Sequence, residues 1–289
     1  MNESIASPSP LLSTPSLYIV ATPLGNLRDL SSRGRDTLAA VDTIAAEDTR
    51  HSQRLLDVFG IRPRRLLAVH QHNEQQAAGQ VIECLAQGQH VALITDAGTP
   101  AISDPGARLV ARVREAGYAV SPVPGACAAV AALSVAGIAE GGFRFIGFLP
   151  AKTQSRRTAL TALAGERDAM VFYEAPHRIK ACVADMMEVF GGMREVLIAR
   201  ELTKLHEEIA VMPLARAGAW FAADANRVRG EFVLIARGAD MLDGANANAL
   251  RILGLLLDEL PLKTAVRLAA EITGAPRKGL YAHALEQRR

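Results

Sequence analysis

Ionisable side chains recur where apolar runs of this chain stop. Glu47 and Asp48 in AAEDTR, Glu74 in HNE, Glu174 in YEAPHR and Glu201 in ARELTK all stand at such points, with Arg50, Arg178, Arg200 and Lys204 close by in sequence. A carboxylate or amine at the end of a strand acts as a general base once burial or a neighbouring charge moves its pKa. Any single pair is equally well explained as a surface salt bridge, worth little. Four loops rich in small residues follow the same kind of run: TPLGN at 22–26, DAGTPAISDPG at 96–106, VPGACAA at 123–129 and YEAPHR at 173–178. Glycine lets backbone N–H and C=O groups touch a ligand, and proline holds the approach rigid. None of the loops is a phosphate cradle. No G-x-G-x-x-G follows a strand, and GFLPAKT has Ala151 where a P-loop needs the glycine before its lysine.

The elements that must carry these loops follow from periodicity. LYIVATPLGN and HVALIT are continuous apolar runs closed by turn residues, the pattern of strands buried on both faces. Between and after them, EQQAAGQVIECLAQGQ and GARLVARVREAG have helical apolar spacing and end near Gly88 and Gly117. Strands and helices alternate again from FRFIGFLP through SRRTALTALAG, AMVFYEAPHR, IKACVADMMEVFG and REVLIARELT to GEFVLIARG. The expected fold class is therefore α/β, with domains over 17–122 and 123–238. In an open α/β sheet, ligands bind outside the carboxyl ends of strands, so the four loops are expected to line a crevice. ADMLDGANAN reads as a linker. The helical patterns of residues 245–289, with Gly274 in a turn and a helix beginning near Arg277, have the outline of a helix-turn-helix or of a plain capping bundle.

Composition excludes several classes. The chain has 289 residues, 49% of them apolar, with a net charge of +2. No apolar run is long enough to cross a bilayer, and MNESIASPSPLLSTPS lacks the basic and apolar regions of a secretory signal, so residues 1–16 are expected to be a loose tail of a cytoplasmic protein. Cys84, Cys127 and Cys182 are odd in number and far apart, which argues against a disulfide framework. His70 and His72 have no cysteine nearby, and no metal site is expected. Arginine clusters at 33–35, 62–65, 152–157 and the C-terminus, although the net charge alone does not announce a nucleic-acid binder.

Nine segments in order, VATPLGNLRDLS, AAEDTRHSQRLL, HQHNE, LITDAGTPAISDPG, PVPGACAAVAALSVAGI, FIGFLPAK, FYEAPHRI, ARELTKLHEE and GEFVLI, resemble the ribosomal RNA small subunit methyltransferase I group, a branch of the tetrapyrrole methylase superfamily. The likeness covers residues 17–238, and the tail is similar to the group's small C-terminal helical domain. It implies a homodimer of two α/β domains of tetrapyrrole-methylase type, with S-adenosyl-L-methionine in the cleft between them. The implied activity is 2′-O-methylation of a decoding-centre cytidine in 16S ribosomal RNA of the small ribosomal subunit. By the same likeness, Gly98, Thr99 and Ile102 match cofactor contacts and Asp96 shapes their loop. Pro23 matches the first loop, Cys127 and Ala128 the pair after the PG turn, and Glu174, Ala199 and Gly230 contacts from the second domain. Cysteine at 127 departs from the hydroxyl residue common there.

Attack by a ribose hydroxyl on a sulfonium methyl needs in-line positioning and a group to take the proton. Glu174 or Glu201 is the expected base, with Lys204 able to substitute if burial depresses its pKa, and Arg50, His177, Arg178 and Arg200 are expected to hold phosphates and ribose. A porphyrinoid methylase would favour an aromatic-lined cleft, whereas aromatic content is 4%. An RNA-binding protein without catalysis leaves the cofactor loops unexplained. The cations Lys263, Arg267, Arg277, Lys278, Arg288 and Arg289 suggest that the C-terminal segment docks RNA.

Overall fold

A computed structural model describes residues 13–138, 141–239 and 241–286. The expected tail lies, through residue 12, outside the described residues. The chain divides into two compact units, Met1–Val135 with Glu201–Glu208, and Ala136–Arg200 with Ile209–Arg289.

The first unit runs β1 (Ser16–Val20), α1 (Ser32–Ala40), β2 (Thr43–Ala46), α2 (Thr49–Val58), β3 (Arg65–Ala68), α3 (Glu74–Ala86), β4 (Val91–Ile94), α4 (Ala107–Glu115), β5 (Ala119–Val123) and α5 (Ala128–Ser134). Its sheet has the order β3-β2-β4-β1-β5 and is parallel throughout. Parallel strands require crossovers, and crossover helices cover both faces, so the central strands have no solvent side. Successive residues accordingly enter opposite cores. Leu17 and Leu93 pack with Val81 and Leu85 of α3 and Leu109 and Val113 of α4. Tyr18 and Ile94 pack on the other face with Leu38 of α1 and Leu56 of α2. The helices that follow the neighbouring strands β1 and β4 thus lie on opposite faces of the sheet. Where two adjacent strands send their helices to opposite sides, a crevice opens at their carboxyl ends.

The second unit contains β6 (Phe143–Phe148), α6 (Thr153–Leu163), β7 (Ala169–Glu174), α7 (Ile179–Phe190), β8 (Glu195–Arg200), β9 (Glu208–Pro213), α8 (Leu214–Ala223) and β10 (Phe232–Ala236). The sheet order is β6-β7-β10-β8-β9, with β10 antiparallel to both β7 and β8. Phe172, Ile198 and Leu234 pack against Leu160, Met186, Leu214 and Phe221 of its helices. The loop after β6 is tied down from below. Arg156 Nη1 donates to Ala151 O at 3.1 Å, and Arg178 donates to Leu149 O. Arg156 is itself held by Asp185 at 2.6 Å, the two side chains only 3% and 4% exposed, and Arg157 reaches the other Asp185 oxygen at 2.7 Å.

Three helices close the chain, α9 (Met241–Glu259), α10 (Leu262–Thr273) and α11 (Arg277–Glu286), with a core of their own that includes Leu253, Ala265, Val266, Ala269, Leu280 and Ala284. The helix-turn-helix outline, with Gly274 at φ +71° as the left-handed cap of α10 and a helix starting at Arg277, is present. The expected linker ADMLDGANAN is not a loop. From Met241 onward it forms the first turns of α9, because Asn and Gly each lower helix propensity by at most about 1 kcal/mol and the continuing helix outweighs that. Among the described residues, no helix is long and apolar enough to cross a membrane.

The Arg156–Asp185 pair yields a stability test. Burial pushes the Asp185 carboxyl up, but hydrogen bonds from Arg157 and Arg156 outweigh it and hold the group below its ordinary value of 3.8. A depressed carboxyl stabilises the fold above its unfolded pKa, and that contribution is lost as pH falls through the folded value, below 3.8. Asp185→Ala leaves a buried guanidinium uncompensated and is expected to cost ~3–5 kcal/mol at neutral pH. Denaturant titration measures it, and a loss under ~1 kcal/mol contradicts the account.

Candidate active site

At the carboxyl ends of β1 and β4 the two loops are joined by backbone pairing. Thr22 N donates to Gly98 O at 2.8 Å and Gly98 N donates to Thr22 O at 3.0 Å, so the two loops form a one-rung antiparallel bridge. The Thr22 hydroxyl donates to Thr95 O at 3.0 Å, and Thr99 Oγ1 donates to Ala126 O at 3.0 Å, which ties in the loop after β5. Gly98 has φ +86°, which favours glycine on conformational grounds, and a Cβ there would stand 3.3 Å from Leu24 Cδ2, a tight contact that the leucine would have to ease. Beyond it the loop is strained. Ala101 and Ser103 adopt φ +67° and +65°, a left-handed backbone that costs non-glycine residues on the order of 1 kcal/mol or more and concentrates at ligand sites. Pro23 is buried against this bridge region, whereas Ile102 is 43% exposed. Cys127 is half-buried and precedes α5 without a side-chain capping bond, and Ala128 opens that helix.

Carboxylates gather beside the bridge. The Thr95 hydroxyl, 2% exposed as a residue, lies 2.6 Å from Glu47 Oε2 and 2.9 Å from Asp104 Oδ2. A hydroxyl has one proton to donate, so two acids compete for it. Asp96 Oδ1 accepts the backbone N–H of Asp48 at 3.2 Å. Burial raises the Asp96 carboxyl above its ordinary value, the bond from Asp48 N opposes that, and the charge of Glu47 adds to the rise. Asp48 caps α2, accepting from Arg50 N at 2.8 Å and His51 N at 3.4 Å, and the Arg50 side chain holds its carboxyl below the usual range. Arg50 is 88% exposed along its side chain. Glu74 accepts from Arg108 N at 3.1 Å and thereby serves the start of α4.

A second strained segment, 201–208, belongs to this unit. Glu201 and Thr203 have φ +53° and +66°, so all four positive-φ residues other than glycine among the described residues fall in two loops. Lys204 Nζ lies 2.9 Å from Glu201 Oε1, with both side chains partly exposed, at 27% and 19%. The stem of Lys204 rests on Gly25 of TPLGN, where a Cβ would collide with Lys204 Cγ.

In the second unit, Glu174 and Arg200 both register with Phe232, on either side of β10, and Ala199 registers with Val233. Gly230, at φ +91°, precedes that strand, so these four residues share one end of the sheet. The Glu174 side chain is fully enclosed. Its Oε1 accepts from Ala175 N at 2.8 Å and lies 3.0 Å from Arg178 Nε. Burial, followed by the Glu174 charge, pushes the nearby Cys182 thiol well above its ordinary range. Arg200, 8% exposed, donates to Arg229 O at 3.4 Å, while His177 is exposed in the turn after β7.

Thr22, Thr95, Asp104 and Gly25 were not singled out by sequence reading. A threonine directly after an apolar run, LYIVA before Thr22 and VALI before Thr95, is the one signal that marks these two residues. The approach of Lys204 to Gly25 joins segments too distant in sequence for any local pattern to show it.

The fold matches that of solved methyltransferases. Alignment with the structure of the methyltransferase CobJ gives a TM-score of 0.58 at 20% identity, covering 78% of this chain and 95% of that one. A cobalt precorrin-4 methyltransferase, CbiF, gives 0.56 at 19% identity, covering 77% and 94%. The family model for tetrapyrrole (corrin/porphyrin) methylases matches residues 16–218, which places the chain in that class. Residues 243–288 match the model of the RsmI C-terminal HTH domain. Proteins called ribosomal RNA small subunit methyltransferase I are 50% identical over 279 residues in Pseudomonas aeruginosa (96% of this chain, 99% of the relative) and 51% identical over 272 residues in Escherichia coli O157:H7 (94% and 95%). The chain belongs to the ribosomal RNA small subunit methyltransferase I family.

Two variants probe this geometry. Gly25→Ala displaces the flexible Lys204 side chain rather than backbone, so stability is expected to change little while single-turnover methyl transfer falls on the order of a hundredfold, matching Lys204→Ala. A Gly25→Ala protein with a wild-type rate detaches Lys204 from the reaction. Asp96→Asn keeps an acceptor for Asp48 N and removes a charge that burial disfavours. A raised carboxyl binds its proton more tightly in the folded state, so ionised Asp96 lowers stability at every pH above its folded value. The variant is therefore expected to melt higher than wild type at neutral pH, by less than about 1 kcal/mol for a partly exposed group. The difference should close as pH falls through the raised value, and melts across that range decide it.

Proposed function

We propose that this chain transfers the methyl group of S-adenosyl-L-methionine to the 2′-hydroxyl of a decoding-centre cytidine in 16S ribosomal RNA of the small ribosomal subunit, working as a cytoplasmic homodimer. The strained, glycine-pinned loop at the β1/β4 switch point carries this reading, supported by relatives at about half identity whose names state a ribosomal RNA substrate.

The residues present fit the cofactor. Gly98, Ala126 and Ala128 leave room for backbone contact, and Glu47, Asp96 and Asp104 supply negative charge suited to a ligand bearing an ammonium and a sulfonium. Pro23, Asp96, Gly98, Thr99, Ile102, Cys127 and Ala128 are the proposed cofactor contacts of the first unit, and Glu174, Ala199 and Gly230 those of the second. When bound, the cofactor supplies a methyl group activated by positive sulfur. The chain's own part is to align the ribose and remove its proton. Glu201 takes that proton, and Lys204 orients its carboxylate, because these two side chains are partly open whereas Glu174 is enclosed by Ala175 and Arg178. Arg50 and His177, both exposed, meet RNA phosphate and ribose. Arg178 and Arg200, both tied to backbone carbonyls, hold the loops those contacts need.

Incubation with radiolabelled S-adenosyl-L-methionine and isolated small subunits, in parallel with naked 16S RNA, followed by digestion to nucleosides, tests the reading. Label in 2′-O-methylcytidine is expected. Label on a base, or no label in either RNA sample, overturns it. Glu201→Gln is expected to lower the single-turnover rate on the order of a hundredfold with cofactor affinity little changed. A near wild-type rate removes Glu201 as the base.

A further inference from the structure

We infer that the groove between α10 and α11 is a binding site for one unstacked nucleotide of single-stranded RNA, its base against Tyr281 and its phosphate among Lys263, Arg267, Arg277 and Lys278. The choice of RNA as occupant rests on the ribosomal RNA reading above.

The groove has a volume of about 440 Å³ and is lined by Lys263, Val266 and Arg267 of α10 and Arg277, Lys278 and Tyr281 of α11. The left-handed cap at Gly274 turns the chain back so that the two helices present these residues to one space. Glu271 sets the spacing of the cations. Its Oε2 lies 3.1 Å from Arg267 Nη1 and its Oε1 lies 3.0 Å from Arg277 Nη2. One carboxylate thus holds two guanidiniums side by side and neutralises only one charge, leaving the four cations of the rim with three in excess. The arginines stay 50% and 62% exposed along their side chains.

Charge alone would suit any polyanion. The lining adds an apolar floor at Val266, 4% exposed, and an aromatic face at Tyr281, 37% exposed. A cationic rim around an aromatic platform is the combination that grips single-stranded nucleic acid, because each base offers a π-face and each nucleotide a phosphate. An acidic peptide would use the rim and leave the platform idle. The domain's fold calls for Val266 but not for the four cations or Tyr281, since its buried core is built from Ala249, Leu253, Ala265, Val266, Ala269, Leu280 and Ala284.

The test uses the full-length chain and three probes, a mixed-sequence single-stranded RNA oligonucleotide, a duplex of equal length and polyglutamate, with affinities measured at several salt concentrations. Lys263→Gln with Lys278→Gln is expected to weaken single-strand binding and flatten the plot of log K against log salt by about 0.7 for each of two phosphate contacts. Tyr281→Ala is expected to weaken it roughly tenfold with the slope unchanged, while Tyr281→Phe binds as wild type. Melting temperature and cofactor affinity should stay as they are in all variants. Unchanged affinity and slope in the lysine pair and in Tyr281→Ala overturn the site. So does tighter binding of the duplex, or of polyglutamate, than of the single strand. Failure of the function reading looks different: wild-type protein then leaves subunits unlabelled while the groove variants still weaken the oligonucleotide. Normal methylation of subunits with unaltered oligonucleotide binding sinks the groove and keeps the function.

Discussion

The reciprocal pairing of Thr22 with Gly98 is the constraint on which the candidate site depends. It joins the loops leaving β1 and β4, the two neighbouring strands whose helices depart to opposite faces. Without a link there, two loops at a switch point would move independently, and ordering them would be charged against ligand binding. With it, the first turn of each loop is an extension of the sheet. Gly98 is the residue that makes the link possible, because the backbone must turn at φ +86° while passing close to Leu24.

Rigidity at that point permits strain and charge further out. Ala101, Ser103, Glu201 and Thr203 hold left-handed backbones that isolated peptides avoid. Glu47 and Asp104 converge on the Thr95 hydroxyl, and the Glu47 charge adds to the rise of the partly buried Asp96 carboxyl, although like charges repel. Both arrangements lower stability, and both persist because surrounding pairings over-determine them. Costs of this kind concentrate in the loop after β4 and in the segment 201–208, the two places where the chain departs furthest from regular backbone. The ion cluster of the second unit contrasts with this. Asp185 is held low by two arginines, so its charges cancel, and it serves the loop after β6 instead of a ligand.

Much of this was legible in the sequence for a physical reason. A strand buried on both faces is a continuous apolar run, so β1, β4, β7, β8 and β10 stand out, and loops of glycine and proline mark the ends where backbone must approach a ligand. Short elements at sheet edges were harder to see. β3 lies among arginines and is partly exposed, and β9 is only half-buried, so neither has a continuous apolar signature. Glu47 stands out in the sequence as a candidate acid, but its meeting with Asp104 at Thr95 joins segments that no local pattern connects. Asp48, which looked like a candidate acid, is an N-cap, a role its place before the helix Thr49–Val58 explains locally. The linker expectation failed because weak local preferences of Asn and Gly were given more weight than the helix they lead into.

The three C-terminal helices extend the same division between what holds the fold and what meets a ligand. In the first unit, backbone pairing holds the loops and side chains are left free to carry charge. In the C-terminal segment, alanine and leucine close the core, and small side chains let α10 and α11 approach closely enough that residues on their outer faces share one groove. Glu271 then does for the arginines what Thr22 does for Gly98, fixing a spacing that neither partner would keep alone. A site built on helix faces is held by the core beneath it and needs no backbone strain. That suits the role inferred for the groove, gripping and releasing a flexible chain, while the strained loop at the carboxyl end of β4 suits a ligand that must be aimed.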